Sequence, residues 1–271
     1  MTLPHSATAP LKRVATAVVA IPVFVWLVLR GPEWLFVLVV LAVSAAAAWE
    51  LARMFEHAGA PTYGWFGVAV TVAVTASFST AASPAILALA IAAVVSVPVW
   101  FRRRPITVEP VAFTLLAVLY VGWFLGHAIL LHRLVDGPAL VLFLVGVTWI
   151  GETGAYAVGS TIGRHKLAPL ISPNKTIEGA IAQFVLSVLG GLALAVWLLP
   201  EWPRAGAAGA GAVLGVVGQV GDLAESAMKR SVGVKDTSSL VPGHGGLLDR
   251  MDSLLFNAPI LYYYVTLGGG V

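Results

Sequence analysis

Residues 33–54 read EWLFVLVVLAVSAAAAWELARM. Between Glu33 and Glu50 the run carries no charge and, apart from Ser44, nothing more polar than the indole of Trp34 and Trp49. It is as long as a helix must be to cross hydrocarbon, roughly 20 apolar residues. The apolar–polar alternation of a lipid-facing barrel strand is missing, and in lipid only helices and closed barrels satisfy the backbone. The run is therefore read as a membrane-spanning helix. Eight further runs of the same kind lie at 14–30, 64–80, 84–101, 109–132, 138–158, 177–199, 206–228 and 248–267, with short connections. A chain of 271 residues that is 59% hydrophobic and only 11% charged cannot hide its apolar side chains in a soluble core of that size. The expected fold is all-α: a polytopic transmembrane bundle of nine spans in a single integral membrane domain, 1–271, with N-terminal helices over 14–132 and a C-terminal half over 138–267.

The basic residues give the orientation. Alternate loops collect Lys12, Arg13, Arg53, Arg102, Arg103, Arg104, Arg164, Lys166, Lys175, Lys229, Arg230, Lys235 and Arg250 on one side, against Arg30, Arg133 and Arg204 on the other. Thirteen of 16 on one side place the N-terminus in the cytoplasm. The first run has Lys12 and Arg13 ahead of it, as a signal peptide would, but continues apolar to Arg30 without a small-residue cleavage pattern, so it is kept as an anchor. The net charge of +3 is spent at helix ends, where anionic lipid explains it, and no basic stripe interleaved with aromatics suggests nucleic acid. With no cysteine there is neither a disulfide framework nor a thiolate site.

In such a chain the informative residues are ionisable groups in or beside spans, because charge in hydrocarbon is costly. Glu50 lies near the cytoplasmic end of its run, where it could reach the interface or pair with Arg53. Glu152, in the motif GETGAY, shares a helical face with Tyr156 one turn later. The loop GSTIGRHKLAPLISPNKTIEG, residues 159–179, is the most polar before the C-terminal region. Asn174 or Thr176 can cap the helix that follows it, with Glu178 in the first turn, so Lys175 stands beside a helix N-terminus, a favourable place for an anion.

The densest polar face is in GDLAESAMKR, residues 221–230. Asp222, Glu225, Ser226 and Lys229 are spaced to share one side of a helix, with Asp222 about 10 Å below the basic exit at Lys229 and Arg230. Then comes SVGVKDTSSLVPGHGGLLDRMD, residues 231–252. Lys235, Asp236 and hydroxyls such as Ser238 open that loop, and Asp249 and Asp252 begin the last helix. Glycines 243, 245 and 246 free successive backbone N–H groups to turn toward phosphate oxygens. His244 is read as a phosphate donor or loop buttress. A triphosphate calls for both signs of charge: Lys and Arg, with Arg250 among them, neutralise its oxygens, while carboxylates hold a hard divalent ion. Asp222 and Asp249 are the first candidates for that metal, with Asp252 and Glu225 behind them. Plain ion pairing between two helix ends would leave the hydroxyls, the glycines and the depth of Asp222 unexplained.

The run SAMKRSVGVKDTSSLVPGHGGLLDRMD, residues 226–252, resembles the signature of the phosphatidate cytidylyltransferases, or CDP-diglyceride synthases, and the resemblance extends to GRHKLAPLISPNKTIEG and GETGAY. It implies an integral enzyme of bacterial cytoplasmic membranes and eukaryotic organelles that forms CDP-diacylglycerol and pyrophosphate from phosphatidate and CTP with Mg²⁺, working as a homodimer. By the same resemblance Asp222 and Asp249 are metal-binding aspartates, Lys229, Arg230, Lys235 and Asp236 belong to the nucleotide and phosphate site, and Lys175 is a motif lysine near it. Ser226, Ser238, His244, Gly245, Gly246, Arg250, Glu152 and Tyr156 are further candidates for holding substrate. One departure stands out: the family usually has Asp where this chain has Glu152.

Two other readings compete. A CTP-dependent lipid-alcohol kinase would transfer the γ-phosphate instead. A secondary transporter would also carry carboxylates in helices, but would show a repeated topology with broken helices at the midplane, and no repeat is visible. The CDP-alcohol phosphotransferases are disfavoured because their D-G-x-x-A-R run is absent.

Overall fold

The computed structural model describes residues 8–100, 107–238 and 246–269. Among them run α1 (Thr8–Arg30), α2 (Glu33–His57), α3 (Gly64–Ser77), α4 (Ser83–Trp100), α5 (Glu109–Ala117), a π segment (Val118–Trp123) leading straight into α6 (Phe124–His132), and α7 (Gly137–Ile162). A hairpin of β1 (Lys166–Ala168) and β2 (Ser172–Thr176) precedes α8 (Ile177–Leu198) and α9 (Arg204–Ser231). A 3₁₀ turn (Leu248–Arg250) then leads to α10 (Asp252–Tyr264), which ends in a second π segment (Val265–Gly269). Because α5, the first π segment and α6 form one continuous rod, the described helices make nine rods, each overlapping one of the nine apolar runs.

Six of these rods are long and apolar enough to cross a membrane: α2, α4, the α5–α6 rod, α7, α8 and α9. The chain is a multi-pass, all-α membrane protein. Large apolar side chains such as Leu89, Val99 and Trp197 are exposed on the outside of the bundle, as a lipid-facing surface requires. At 14 residues α3 is shorter than the expected run over 64–80. The last helix starts at Asp252, so Asp249 sits in the turn ahead of it rather than inside the helix.

The helix starts follow from local chemistry. Pro110 and Pro138 occupy the first turns of α5 and α7, where a missing N–H costs nothing. Thr176 caps α8 by accepting a hydrogen bond from Gly179 N at 3.2 Å. The hairpin was not expected from sequence. Its antiparallel strands pair Lys166 with Thr176 and Ala168 with Ser172, too few residues for a period-two pattern to register.

Glycines let α9 wedge between α8 and α10. A Cβ on Gly211 would strike the Ser187 carbonyl of α8, and one on Gly221 would sit 2.8 Å from the Asp252 carbonyl of α10. Small residues at such crossings let backbones meet in the absence of a hydrophobic driving force. This close approach brings the polar face of α9 against β2, α8 and the start of α10.

Candidate active site

Two ion-pair clusters share the polar face of α9. In the first, Lys175 Nζ from β2 lies 2.6 Å from Asp222 Oδ2, a meeting of charges off hydrogen-bond alignment, while Ser226 Oγ donates to Asp222 Oδ1 at 3.4 Å. This pair borders a cavity of about 450 Å³ between α7, β2, α8 and α9, lined by Glu152, Tyr156, Asn174, Gln183 and Gln219 among others. Tyr156 stands at its mouth, 78% exposed.

In the second cluster Lys229 Nζ donates to Glu225 Oε1 at 3.1 Å and to Asp249 Oδ1 at 2.7 Å. Glu225 is fully buried and also accepts from Tyr120 Oη at 3.2 Å. Tyr120 comes from the π segment, whose wide turn marks a helix adjusted to place a side chain. Asp249 accepts in addition from Thr237 N, Thr237 Oγ1 and Gly246 N at 2.9–3.3 Å. Burial pushes the Asp249 carboxyl up, but the bonds from Lys229, Gly246 and Thr237 outweigh it and hold the group below its ordinary value. Asp252, one turn further on, lies within electrostatic reach of Asp222, Glu225 and Glu152, so the two clusters form one electrostatic unit.

Glu50 completes the second cluster from the other end of the chain. It does not pair with Arg53, which is half-exposed and turns to Glu56 and His57. Glu50 is instead wholly buried and accepts from Ser238 Oγ at 2.5 Å, Leu247 N at 3.0 Å and Leu248 N at 2.8 Å. Three successive N–H groups, of Gly246, Leu247 and Leu248, are thus divided between Asp249 and Glu50. The Gly246 N–H, expected to turn toward phosphate, donates to Asp249 here. A Cβ on Gly246 would land against Thr237 Oγ1, 2.9 Å from Glu50 Oε2 and 3.0 Å from Asp249 Oδ2.

The structure therefore brings together Asp222, Glu225, Ser226, Lys229, Asp249, Asp252, Lys175 and Glu152. Arg250 is within electrostatic reach of Glu152. Arg230 is drawn off to the side, donating to the Ile171 and Val234 carbonyls and tying the hairpin to the loop after α9. Lys235 and Asp236 are exposed on that loop. His244 and Gly245 lie outside the described residues. Sequence reasoning missed Tyr120, Thr237, Gln183 and Gln219. The two glutamines carried a usable signal, being amides within apolar runs.

The donor type is the one a hard divalent cation takes. Asp222, Asp249 and Asp252 present oxygen only, and the Lys175 and Lys229 ammonium groups already stand against two of them as cations. Among the described residues no group of three or more acids or histidines closes into a cage. Mg²⁺ rarely uses one, taking one or two carboxylates and completing its shell with water and substrate phosphate.

The profile of the cytidylyltransferase family matches residues 11–267. This chain belongs to the cytidylyltransferase family. Within the family, the phosphatidate cytidylyltransferase of Bacillus subtilis (strain 168) is 34% identical over 264 residues, which is 94% of this chain and 97% of that protein. The phosphatidate cytidylyltransferase of Staphylococcus aureus (strain COL) is 39% identical over 158 residues, and that of Staphylococcus saprophyticus is equally similar over the same length. These two matches span 55% of this chain and 57% of the length of the relatives.

Proposed function

We propose that this chain transfers the cytidylyl group of CTP to phosphatidate, releasing pyrophosphate and forming CDP-diacylglycerol. The observation that carries this reading is the cavity at the Lys175–Asp222 pair. It sets the Lys175 ammonium beside the carboxylates of Asp222 and Glu152 in a space bounded by α7, β2, α8 and α9, a setting in which phosphate groups of a nucleotide and a lipid can meet. Family membership supplies the chemical class.

In the reaction a phosphate oxygen of phosphatidate bonds to the α-phosphorus of CTP, the α-phosphorus to bridging-oxygen bond breaks, and the pair of electrons leaves with pyrophosphate. A phosphate monoester is already largely dianionic near neutral pH, with its second pKa about 6, so no side chain has to remove a proton. The protein's work is positioning and charge neutralisation. Lys175, which lines the cavity, stabilises charge on the triphosphate and the departing pyrophosphate, and Lys229, bonded to Glu225 and Asp249, adds positive charge on the same face of α9. Glu225, held by Tyr120, keeps Lys229 in place, while Glu50 and Thr237 fix the turn that carries Asp249. Asp222 and Asp249, with Asp252 beside them, are the groups that would hold Mg²⁺, whose chemistry is to shield two polyanions from one another.

The excess of basic residues on one side supports a cytoplasmic site, where CTP is found and where the headgroup of phosphatidate lies. A homodimer accords with the family resemblance. The test is to incubate purified protein with phosphatidate, Mg²⁺ and CTP labelled at either the α- or the γ-phosphorus. Label in the lipid from the α position and unlabelled lipid from the γ position are expected. Transfer of γ-label alone would replace this reading with a kinase.

A further inference from the structure

Gln183 of α8 and Gln219 of α9 face each other across the cavity wall, Gln219 Nε2 donating to Gln183 Oε1 at 3.3 Å. Gln183 is only 6% exposed. Whichever way the amides are turned, one bond between them uses one donor and one acceptor, so further N–H donors remain for whatever fills the cavity. A bond serving only to join the helices would gain little here. The α8–α9 contact is already closed by glycines, with Gly191 and Gly211 meeting backbone directly.

Their depth selects the ligand group. Gln219 precedes Asp222 by three residues on α9, so the amide pair lies about 4.5 Å further along the helix, away from the cationic exit. In a diacyl glycerophospholipid the ester carbonyls lie one glycerol length deeper than the phosphate. With the lipid phosphate level with Lys175 and Asp222, the ester carbonyls fall level with the two amides. An ester carbonyl only accepts hydrogen bonds, and the amides hold donors to spare. A nucleobase entering from the polar end would first have to pass the charged pair.

We infer that Gln183 and Gln219 form a subsite for the acyl-ester carbonyls of the lipid acceptor, distinguishing diacyl from dialkyl lipids. The inference rests on the proposed lipid-phosphate acceptor and adds which part of that lipid is read. An ether oxygen is a poorer acceptor than an ester carbonyl, so a dialkyl analogue leaves the amide donors unpaired in a buried site.

The experiment compares kcat/KM for dioleoyl phosphatidate and for its dialkyl ether analogue of equal chain length, in mixed micelles with saturating CTP and Mg²⁺. The protein is used unaltered and as Gln183→Met, Gln219→Met and the double variant. The unaltered protein is expected to favour the diester about tenfold, and the preference to fall toward unity in the variants. Since the readout is a ratio of two substrates on one preparation, any unfolded fraction cancels. Equal use of both lipids by the unaltered protein overturns the inference while leaving the proposed reaction standing. An unchanged ratio in the variants together with a raised KM for CTP also overturns it, reassigning the amides to the nucleotide. Absence of liponucleotide from either lipid removes the proposed reaction and this inference with it.

Discussion

Replacing Glu50 by glutamine keeps the size of a buried side chain while removing one of its two accepting oxygens. Oε1 accepts from Ser238 and Leu247, and Oε2 from Leu248. In its better orientation the glutamine carbonyl keeps the first two donors and turns an NH₂ toward the Leu248 N–H, donor against donor. Leaving that buried N–H without a partner costs about 1–3 kcal/mol. If that strain is relieved by moving the turn at 246–248, Asp249 moves with it. At about 1.4 kcal/mol per tenfold, the turnover expected is down by up to about a hundredfold. The assay is CTP-dependent liponucleotide formation by purified Glu50→Gln, with thermal unfolding in detergent measured alongside. Ser44→Ala is the comparison: it removes a buried hydrogen bond to Thr75 from the same helix, away from the turn. Glu50→Gln turnover within twofold of the unaltered protein would refute the claim that α2 holds the Asp249 turn. So would a loss no larger than that of Ser44→Ala at equal loss of stability.

Three further outcomes are expected. Gly246→Ala forces a methyl against Thr237 and between two carboxylates, a crowding worth about 1–3 kcal/mol, and is expected to cut turnover at least tenfold at unchanged expression. Lys229→Met leaves Glu225 and Asp249 without their shared cation, where breaking a buried pair typically costs about 3–5 kcal/mol; the unfolding midpoint should drop sharply, and adding Glu225→Gln should recover part of the stability without activity. Asp249→Ala is expected to abolish CTP-dependent product while the protein still inserts, as membrane fractionation and the radiolabel assay together will report; near-normal turnover would rule out the metal assignment.

The rods were legible because a run such as 33–54 has only one way to satisfy its backbone in lipid, and the α9 face was legible because carboxylates at that depth must have partners. The partners themselves were less so. Spacing along a helix suggests near neighbours, which is why Glu50 was matched with Arg53, whereas the real donors lie nearly two hundred residues away on the turn before α10. The same gap hid Tyr120, whose aim depends on a wide turn that no local propensity announces. The β1–β2 hairpin was unreadable for another reason, being shorter than the pattern by which strands are recognised.

The π segment at 118–123 also bears on how this helix tolerates change in length. Within it Tyr120 is set against Glu225, and downstream, in α6, His127 meets the Tyr263 hydroxyl at 3.3 Å. Removing one residue would let the segment close into ordinary α-helix, but each residue advances a helix by about 100°, so one of those two contacts would swing out of register. An insertion would fare no better. Point substitutions on the lipid side of this rod should pass quietly, whereas a single-codon deletion anywhere between Val118 and Trp123 should be as damaging as the loss of a charged residue in the cavity.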